Sequence, residues 1–166
     1  MDIVKLLYQL TFTTRGTLEM CGWRPDRSVD TSDYVRALTA KELPTHAIAI
    51  DFLSSFGGLA LRVPHPYVPS TIRTAWFDPI EGAESEGNLQ YWEGFQRATG
   101  IQLTVIGQYR ELGESLSLDR NGAMFINEES DFARIGDDVA MSLNALCEGR
   151  PLPERIKFDK SLAYGW

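Results

Sequence analysis

The chain has 166 residues, of which 43% are hydrophobic, and this is enough for one globular domain with a sizeable core. Its 23 acidic and 16 basic residues give a formal net charge of -7. This balance argues against a protein that binds a phosphate backbone, which needs clustered Lys and Arg. It suits a protein that meets a basic partner, or one that carries the charge for solubility alone.

No apolar run approaches the ~18 residues that a membrane span requires. The first residues, MDIVKLLYQLTF, have no basic leader and no small-residue cleavage site, so we expect no signal peptide and a cytoplasmic protein. Cys21 and Cys147 lack the spacing of metal ligands, and we expect two buried free thiols rather than a disulfide.

The first third of the chain predicts short helices. Residues 1–12 alternate loosely between apolar and polar side chains and fit a helix or a strand equally well. A short helix begins at Thr14, a proline turn follows at residues 24–27, and Asp30 or Thr31 is placed to cap a second helix.

The segment 45–63 predicts the centre of the core. Five apolar side chains in its first half recur at helical spacing: Ile48, Ala49, Phe52, Leu53 and Phe56. Thr45 is positioned to cap this helix, and Gly57 and Gly58 are expected to end it in the left-handed conformation. Residues 59–63 then alternate with a period of two, which predicts a first strand.

The elements that follow are mostly strands, with one helix among them. A strand is predicted over residues 72–77, and the polar stretch 81–87 is expected to be a mobile surface loop. A helix over residues 89–99 precedes a buried strand at residues 101–109. Residues 115–126 form a hairpin around an Asn-Gly pair.

A last helix is predicted over residues 138–148, and Gly149 ends it. Beyond it, Phe158, Leu162 and Trp166 are candidates to pack back on the core. Helices come first, then strands with one inserted helix, then a final helix. This order predicts an α+β domain rather than alternating βαβ units.

The sequence contains no familiar catalytic motif. The two histidines, His46 and His65, have no nucleophile at local spacing, and we interpret them as surface or capping residues. Glu128, Glu129 and Asp131 form an acidic cluster without the spacing of a calcium loop, which we interpret as a solvated turn. We therefore predict no catalytic residue, no metal site and no cofactor. The tryptophans are not interleaved with basic residues and are interpreted as packing side chains: Trp23, Trp76, Trp92 and Trp166.

At residues 22–30, GWRPDRSVD, the sequence resembles the third group of SUKH (Knr-like) immunity proteins of bacterial polymorphic-toxin systems, which carry a Gly-Trp-x-Pro-x-Arg segment. Further pieces follow in the order of that group: residues 52–59, 77–79, 106–107, 118–122, 135–136 and 146–149. The resemblance covers roughly residues 14–150 of a predicted single domain, 1–166. One departure is Gln108, where the family pattern often has an acid.

The resemblance implies an α+β fold in which helices pack against a twisted, largely antiparallel sheet. It also implies a protein that binds and blocks a toxin domain, often a nuclease, made by its own lineage. The family supplies no catalytic residue. Its motif residues in this chain imply structural roles: Trp23, Arg27, Phe56, Gly57 and Gly58.

Two other functions fit the sequence as well. An intracellular adaptor is the role of the fungal regulatory members of the same superfamily, and a small-molecule enzyme would need a site assembled from residues distant in sequence. If the partner is a basic toxin, two groups of acids are candidate contacts: Glu81, Glu84 and Glu86, and then Glu128, Glu129 and Asp131.

Overall fold

The computed structural model describes residues 1–68, 70–84, 86–110, 113–128, 131–153, 155–158 and 161, without the side chains of residues 86–91 and 128. Within these residues the strands form one open antiparallel sheet of six strands, each paired with the next in sequence. They are β1 (Ala60–Pro64), β2 (Ile72–Trp76), β3 (Leu103–Tyr109), β4 (Glu114–Asp119), β5 (Met124–Glu128) and β6 (Asp131–Gly136).

The helices lie before, between and after the strands. They are α1 (Ile3–Gln9), α2 (Phe12–Met20), α3 (Ser32–Ala40), α4 (Ala47–Phe56), α5 (Pro79–Gly82), α6 (Glu86–Thr99) and α7 (Val139–Glu148). The expected α+β class with an antiparallel sheet is therefore confirmed.

The sheet carries a hydrophobic core on each face. The inner face packs against α1, α2, α4 and α7, and its side chains include Leu61, Leu116 and Ile126. The opposite, outer face packs against α6, whose Trp92 and Phe95 lie in the second core. Because both faces of β4 are covered, all its residues are buried, including its serines.

Aromatic rings fix the packing on both faces. On the inner face, the Phe52 ring of α4 lies 4.9 Å from the Phe77 ring in an edge-on arrangement. On the outer face, Phe95 stacks on Phe132 of β6 with ring centroids 4.2 Å apart. Phe158 from the C-terminal segment adds an edge-on contact to Phe95 at 5.5 Å. The predicted partners of Phe158, at positions 162 and 166, lie outside the described residues.

The structure settles one open question and corrects the prediction for α4. Residues 1–12 begin with a helix, because the Asp2 carboxylate accepts the Lys5 backbone N–H at 3.1 Å and caps α1. The N-cap of α4 is His46 rather than Thr45. The His46 N–H donates to the Thr104 hydroxyl at 3.0 Å, so a contact with β3 fixes where this helix begins.

The predicted loop at residues 81–87 is wrong. Asp78 accepts the N–H groups of Ile80 and Glu81, and Pro79 occupies the first turn, so this Asp-Pro pair starts α5 rather than only ending β2. Helix α6 begins at Glu86, and most of the polar stretch is therefore helical.

The sequence analysis also missed β6. Glu128 ends β5 and Asp131 begins β6, so the acidic cluster predicted as a solvated turn lies where two paired strands meet, and Glu129 lies outside the described residues. Phe132 of β6 is buried under α6, and its carbonyl accepts the Ile156 N–H at 2.7 Å from the C-terminal segment.

Candidate functional site

The motif residues of the N-terminal segment meet at the C-terminal end of α4. Trp23 is 1% exposed and stacks on Phe56, with ring centroids 5.5 Å apart and planes within 8°. The Arg27 guanidinium donates to the carbonyl of Ser55 at 3.1 Å and to that of Gly57 at 2.7 Å. A cation at this position satisfies free carbonyls and complements the negative end of the helix.

The glycine pair, Gly57 and Gly58, connects the end of α4 to β1 and contacts the chain directly after β2. Gly58 has φ +78°, and its N–H donates to the Phe77 carbonyl at 2.8 Å. Gly57 has φ −53°, so only one of the pair adopts the expected left-handed conformation. Trp23, Arg27 and the glycines therefore hold α4, β1 and the end of β2 together, which is a structural role.

The first acidic group lies on the outer side of the sheet. Glu81, on α5, and Glu84, directly after it, are both exposed. Glu86 opens α6, and its side chain lies outside the described residues. This group therefore offers at least two solvated carboxylates on a helical scaffold.

The second acidic group borders the turn between β5 and β6. Asp131 is half-buried, and its carboxylate accepts from the Arg155 guanidinium at 3.2 Å. The side chain of Glu128 and the whole of Glu129 lie outside the described residues. Arg155 offsets the charge of Asp131. Asp131 therefore attracts a cation less strongly than Glu81 or Glu84 does.

The sheet brings the two acidic groups toward the same end. The hydroxyl of Ser115 in β4 donates to the Gly82 carbonyl at 3.3 Å. Ser115 pairs with Asn127, the residue before Glu128. A short path of contacts thus links α5 with the end of β5, although the two groups lie about 45 residues apart along the chain.

Two titratable side chains outside these groups, those of His65 and Cys147, belong to the structure of the fold. The His65 Nδ1 accepts the N–H groups of Tyr67 and Val68, at 3.0 and 3.1 Å, and partial burial together with the charge of Arg73 lowers the pKa of His65. The Cys147 thiol is buried, which, with the nearby Cys21 thiol, raises its pKa to about 12 and leaves it un-ionised at neutral pH.

A shallow cavity of about 280 Å³ lies between α1 and the start of α7. Its two carboxylates, those of Asp2 and Asp138, cap these helices by accepting the N–H groups of Lys5 and Met141. No group of three or more His, Cys, Asp or Glu side chains that could hold a metal ion occurs in the described part of the chain. No helix there is both long and apolar enough to cross a membrane.

The structure also exposes a surface that the sequence interpretation missed. Trp76 was interpreted as a packing residue, yet it is only half-buried on the outer face of β2. The Arg110 guanidinium lies 4.1 Å above its ring. The helices α5 and α6 pack over β3 to β6, whereas Arg62 in β1 and Ile72 in β2 are exposed on the same outer face. The strand alternation gave no sign of which face Trp76 occupies.

Comparison with known proteins places this fold in a family. The family model described as SUKH-3 immunity protein matches residues 11–149 of the chain. Neither the curated proteins nor the solved structures gave a match. The matched region starts just before α2 and ends at Gly149, so it contains the motif junction, the whole sheet and both acidic groups.

Proposed function

Because the chain belongs to the SUKH-3 immunity protein family, we propose that it binds a cognate bacterial toxin domain and neutralises it by protein–protein interaction in the cytoplasm. The observation that carries this proposal is the family match over residues 11–149. A single domain spanning residues 1–166 would act as one binding unit.

The charge of the chain favours a basic toxin, and a nuclease fits this best. A nuclease must present Lys and Arg to a phosphate backbone. The net charge of -7, with Glu81 and Glu84 exposed on one surface, would attract such a domain and compete for its phosphate-binding groups. Glu86, Glu128, Glu129 and Asp131 are the further acids that we propose for this contact.

Neutralisation by binding requires no chemistry from the immunity protein. The motif side chains Trp23 and Arg27 support the fold, and Cys147 is un-ionised. We therefore propose a stoichiometric inhibitor with no catalytic residue and no cofactor.

The test uses the cognate toxin domain, which we expect a neighbouring open reading frame to encode. Its activity is titrated with the purified chain, and binding is measured by calorimetry on the same samples. We expect inhibition to be complete at one equivalent and to follow the binding curve. The same chain should protect cells that express the toxin.

Two outcomes would overturn the proposal. Inhibition by far less than one equivalent would indicate that the chain modifies the toxin as an enzyme. Absence of both binding and protection, together with a stable housekeeping partner recovered from cells, would favour an adaptor.

A further inference from the structure

The outer face of the β1–β2 hairpin has no described helix packed on it, whereas the outer face of the rest of the sheet lies under α5 and α6. It carries Arg62, Ile72, Thr74 and Trp76, with Arg110 folded over Trp76 from the end of β3; we call this set the outer hairpin face. Arg62 and Arg110 are exposed, and Ile72 is 46% exposed. The inner face of the same two strands is fully packed, with Leu61, Val63 and Ala75 at 0% exposure.

Strand β2 places a charged side chain inside the protein and an apolar side chain at the surface, the reverse of the usual arrangement. Arg73 points inward and is 7% exposed, whereas its apolar neighbour Ile72 points outward. Burying a charge is costly unless it is paired, and here the Glu114 carboxylate accepts from Arg73 at 3.0 Å. The fold thus holds an ion pair inside and leaves Ile72 and Trp76 in contact with solvent, an arrangement suited to a surface that a partner covers.

Within the part of the chain that the structure describes, the arginines of this face form no ion pair with a carboxylate. Six other described arginines form ion pairs: Arg36, Arg73, Arg97, Arg134, Arg150 and Arg155. Among the ion pairs of the described residues none involves Arg62 or Arg110, although the chain is acidic overall. Stacked on the ring of Trp76, Arg110 keeps its planar donors available to a carboxylate.

We propose that the outer hairpin face is where the cognate toxin docks, through a segment that sets carboxylates against Arg62 and Arg110 and an apolar side chain against Trp76. This inference rests on the proposed function. Charge complementarity identifies the occupant as an acidic segment of a protein. Trp and Arg are the residue types that most often dominate binding energy at such surfaces.

The face also continues into the first acidic group. Helix α5 begins three residues after Trp76, and Gly82 packs so closely on Gly107 of β3 that a Cβ at Gly82 would lie 2.5 Å from the Gly107 carbonyl oxygen. We call Ile72 and Trp76 the apolar centre of the face. Helix α5, which carries Glu81, and then Glu84 therefore lie on one side of this centre, and Arg62 of β1 lies on the other. The toxin would meet an apolar centre with a charged rim of both signs.

The test compares the parent chain with two variants of the full chain by calorimetry against the cognate toxin domain, at low and high salt. Trp76→Ala should weaken binding by more than about tenfold. Arg62→Glu combined with Arg110→Glu should weaken it as strongly at low salt and less at high salt. Because these side chains are exposed or half-buried, the variants should fold, which circular dichroism verifies.

Two controls on the opposite layer complete the design. Tyr8→Ala removes an aromatic ring that is 84% exposed on α1, and Lys5→Glu reverses an exposed charge on the same helix. Both should leave toxin affinity within about twofold of the parent. This inference would be overturned if the Trp76 and arginine variants bound the toxin with parental affinity, or if the α1 controls lost affinity instead. Either result would leave the proposed function intact.

Failure of the parent chain to bind the toxin would instead overturn the proposed function. A third measurement separates a nucleic-acid partner. Fluorescence anisotropy with a labelled single-stranded oligonucleotide should show no binding to the chain. If the oligonucleotide binds and Trp76→Ala abolishes that binding, this face binds nucleic acid and the inference is overturned.

Discussion

Gly57 and Gly58 are adjacent, and each is glycine for a different physical reason. At Gly57 a Cβ would lie 2.5 Å from the Leu53 carbonyl oxygen and 2.8 Å from the Tyr34 ring, so space is the constraint. At Gly58 the nearest atoms to a Cβ are 3.9 Å away, but φ is +78°, so the backbone conformation is the constraint. The two positions should therefore respond differently to the same substitutions.

Asparagine separates the two constraints. Gly58→Ala should lower the free energy of unfolding by roughly 1–2 kcal/mol, the penalty of a left-handed conformation. Gly58→Asn should lower it less, because asparagine tolerates that region. Gly57→Ala and Gly57→Asn should both lower it by about 1–3 kcal/mol through overpacking. Urea denaturation measures all four.

Gly16 provides the control. It lies inside α2 with no atom within 4 Å of a Cβ, so Gly16→Ala should raise the free energy of unfolding by about 0.5–1 kcal/mol. Equal losses for alanine and asparagine at Gly58 would contradict the conformational explanation.

Trp23 is predicted to stabilise the fold rather than to contact a partner. Trp23→Ala should lower the free energy of unfolding by about 3–5 kcal/mol, because it empties the ring's place against Phe56. Trp23→Phe should lower it far less, since a ring remains and the removed indole N–H is buried with no hydrogen-bond partner among the described residues. Phe12→Ala is the control, because Phe12 is 93% exposed. A stably folded Trp23→Ala that fails to bind toxin would contradict this role.

At the scale of elements, strong local patterns predicted the structure well. The helix now seen as α4, the hairpin of β4 and β5, and α7 follow from apolar periodicity and from the Asn-Gly and Gly signals. In the β4–β5 turn, Asp119 accepts the N–H groups of Asn121 and Ala123, which is chemistry that the sequence already contains.

The elements that were missed depend on contacts distant in sequence. Strand β6 contains Asp131 and Arg134, so its apolar alternation is weak; pairing with β5 and burial of Phe132 under α6 stabilise it. The inward orientation of Arg73 depends on Glu114, 41 residues away. The alternation of side chains in β2 does not show that Glu114 will pair with Arg73. It therefore could not predict which side chains of β2 point outward and form the outer hairpin face.

The Arg73–Glu114 pair is predicted to tie β2 to β4 across β3. Its side chains are 8% and 4% exposed, and the Arg73 guanidinium lies 5.3 Å from the Tyr109 ring between them. Removing one partner leaves a buried charge, so Glu114→Ala should lower the free energy of unfolding by about 3–5 kcal/mol.

Replacing both partners is the informative comparison. The double variant Arg73→Met, Glu114→Leu should lower the free energy of unfolding by much less than the summed losses of Arg73→Met alone and Glu114→Leu alone. In the double variant no buried charge is left unpaired. Thermal unfolding at fixed pH measures the cycle. Additive losses would mean that the two side chains act independently and that the pair does not join the strands.

At the scale of the whole molecule, the sequence predicted a family but not a binding surface. Its motifs, such as Trp23 with Phe56, are dominated by residues that the fold itself requires, and these are readable because their spacing is fixed. A partner surface needs only exposure and complementarity, which depend on how distant segments are arranged. That α5, which carries Glu81, directly follows β2, which ends at Trp76, is visible only in the structure.

The last prediction concerns how the acids of this surface act on a basic toxin. Changing Glu81, Glu84 and Glu86 together to Gln should slow association and flatten its dependence on salt, with little change in dissociation. Rim charges act mainly by steering the encounter, and salt screens that attraction over about 8–10 Å. Surface plasmon resonance at low and high salt measures both rates.

The matched control removes the same number of charges elsewhere. Glu19→Gln, Asp26→Asn and Asp30→Asn, combined in one variant, neutralise three exposed acids that form no ion pair within the described residues, and give the same net charge. If steering depends on the local surface, this control should associate nearly as fast as the parent chain. Equal slowing in both variants would show that net charge alone attracts the toxin. Unchanged association in the Gln variant at both salts would exclude these acids from the encounter and leave Glu128, Glu129 and Asp131 as the acids to neutralise next.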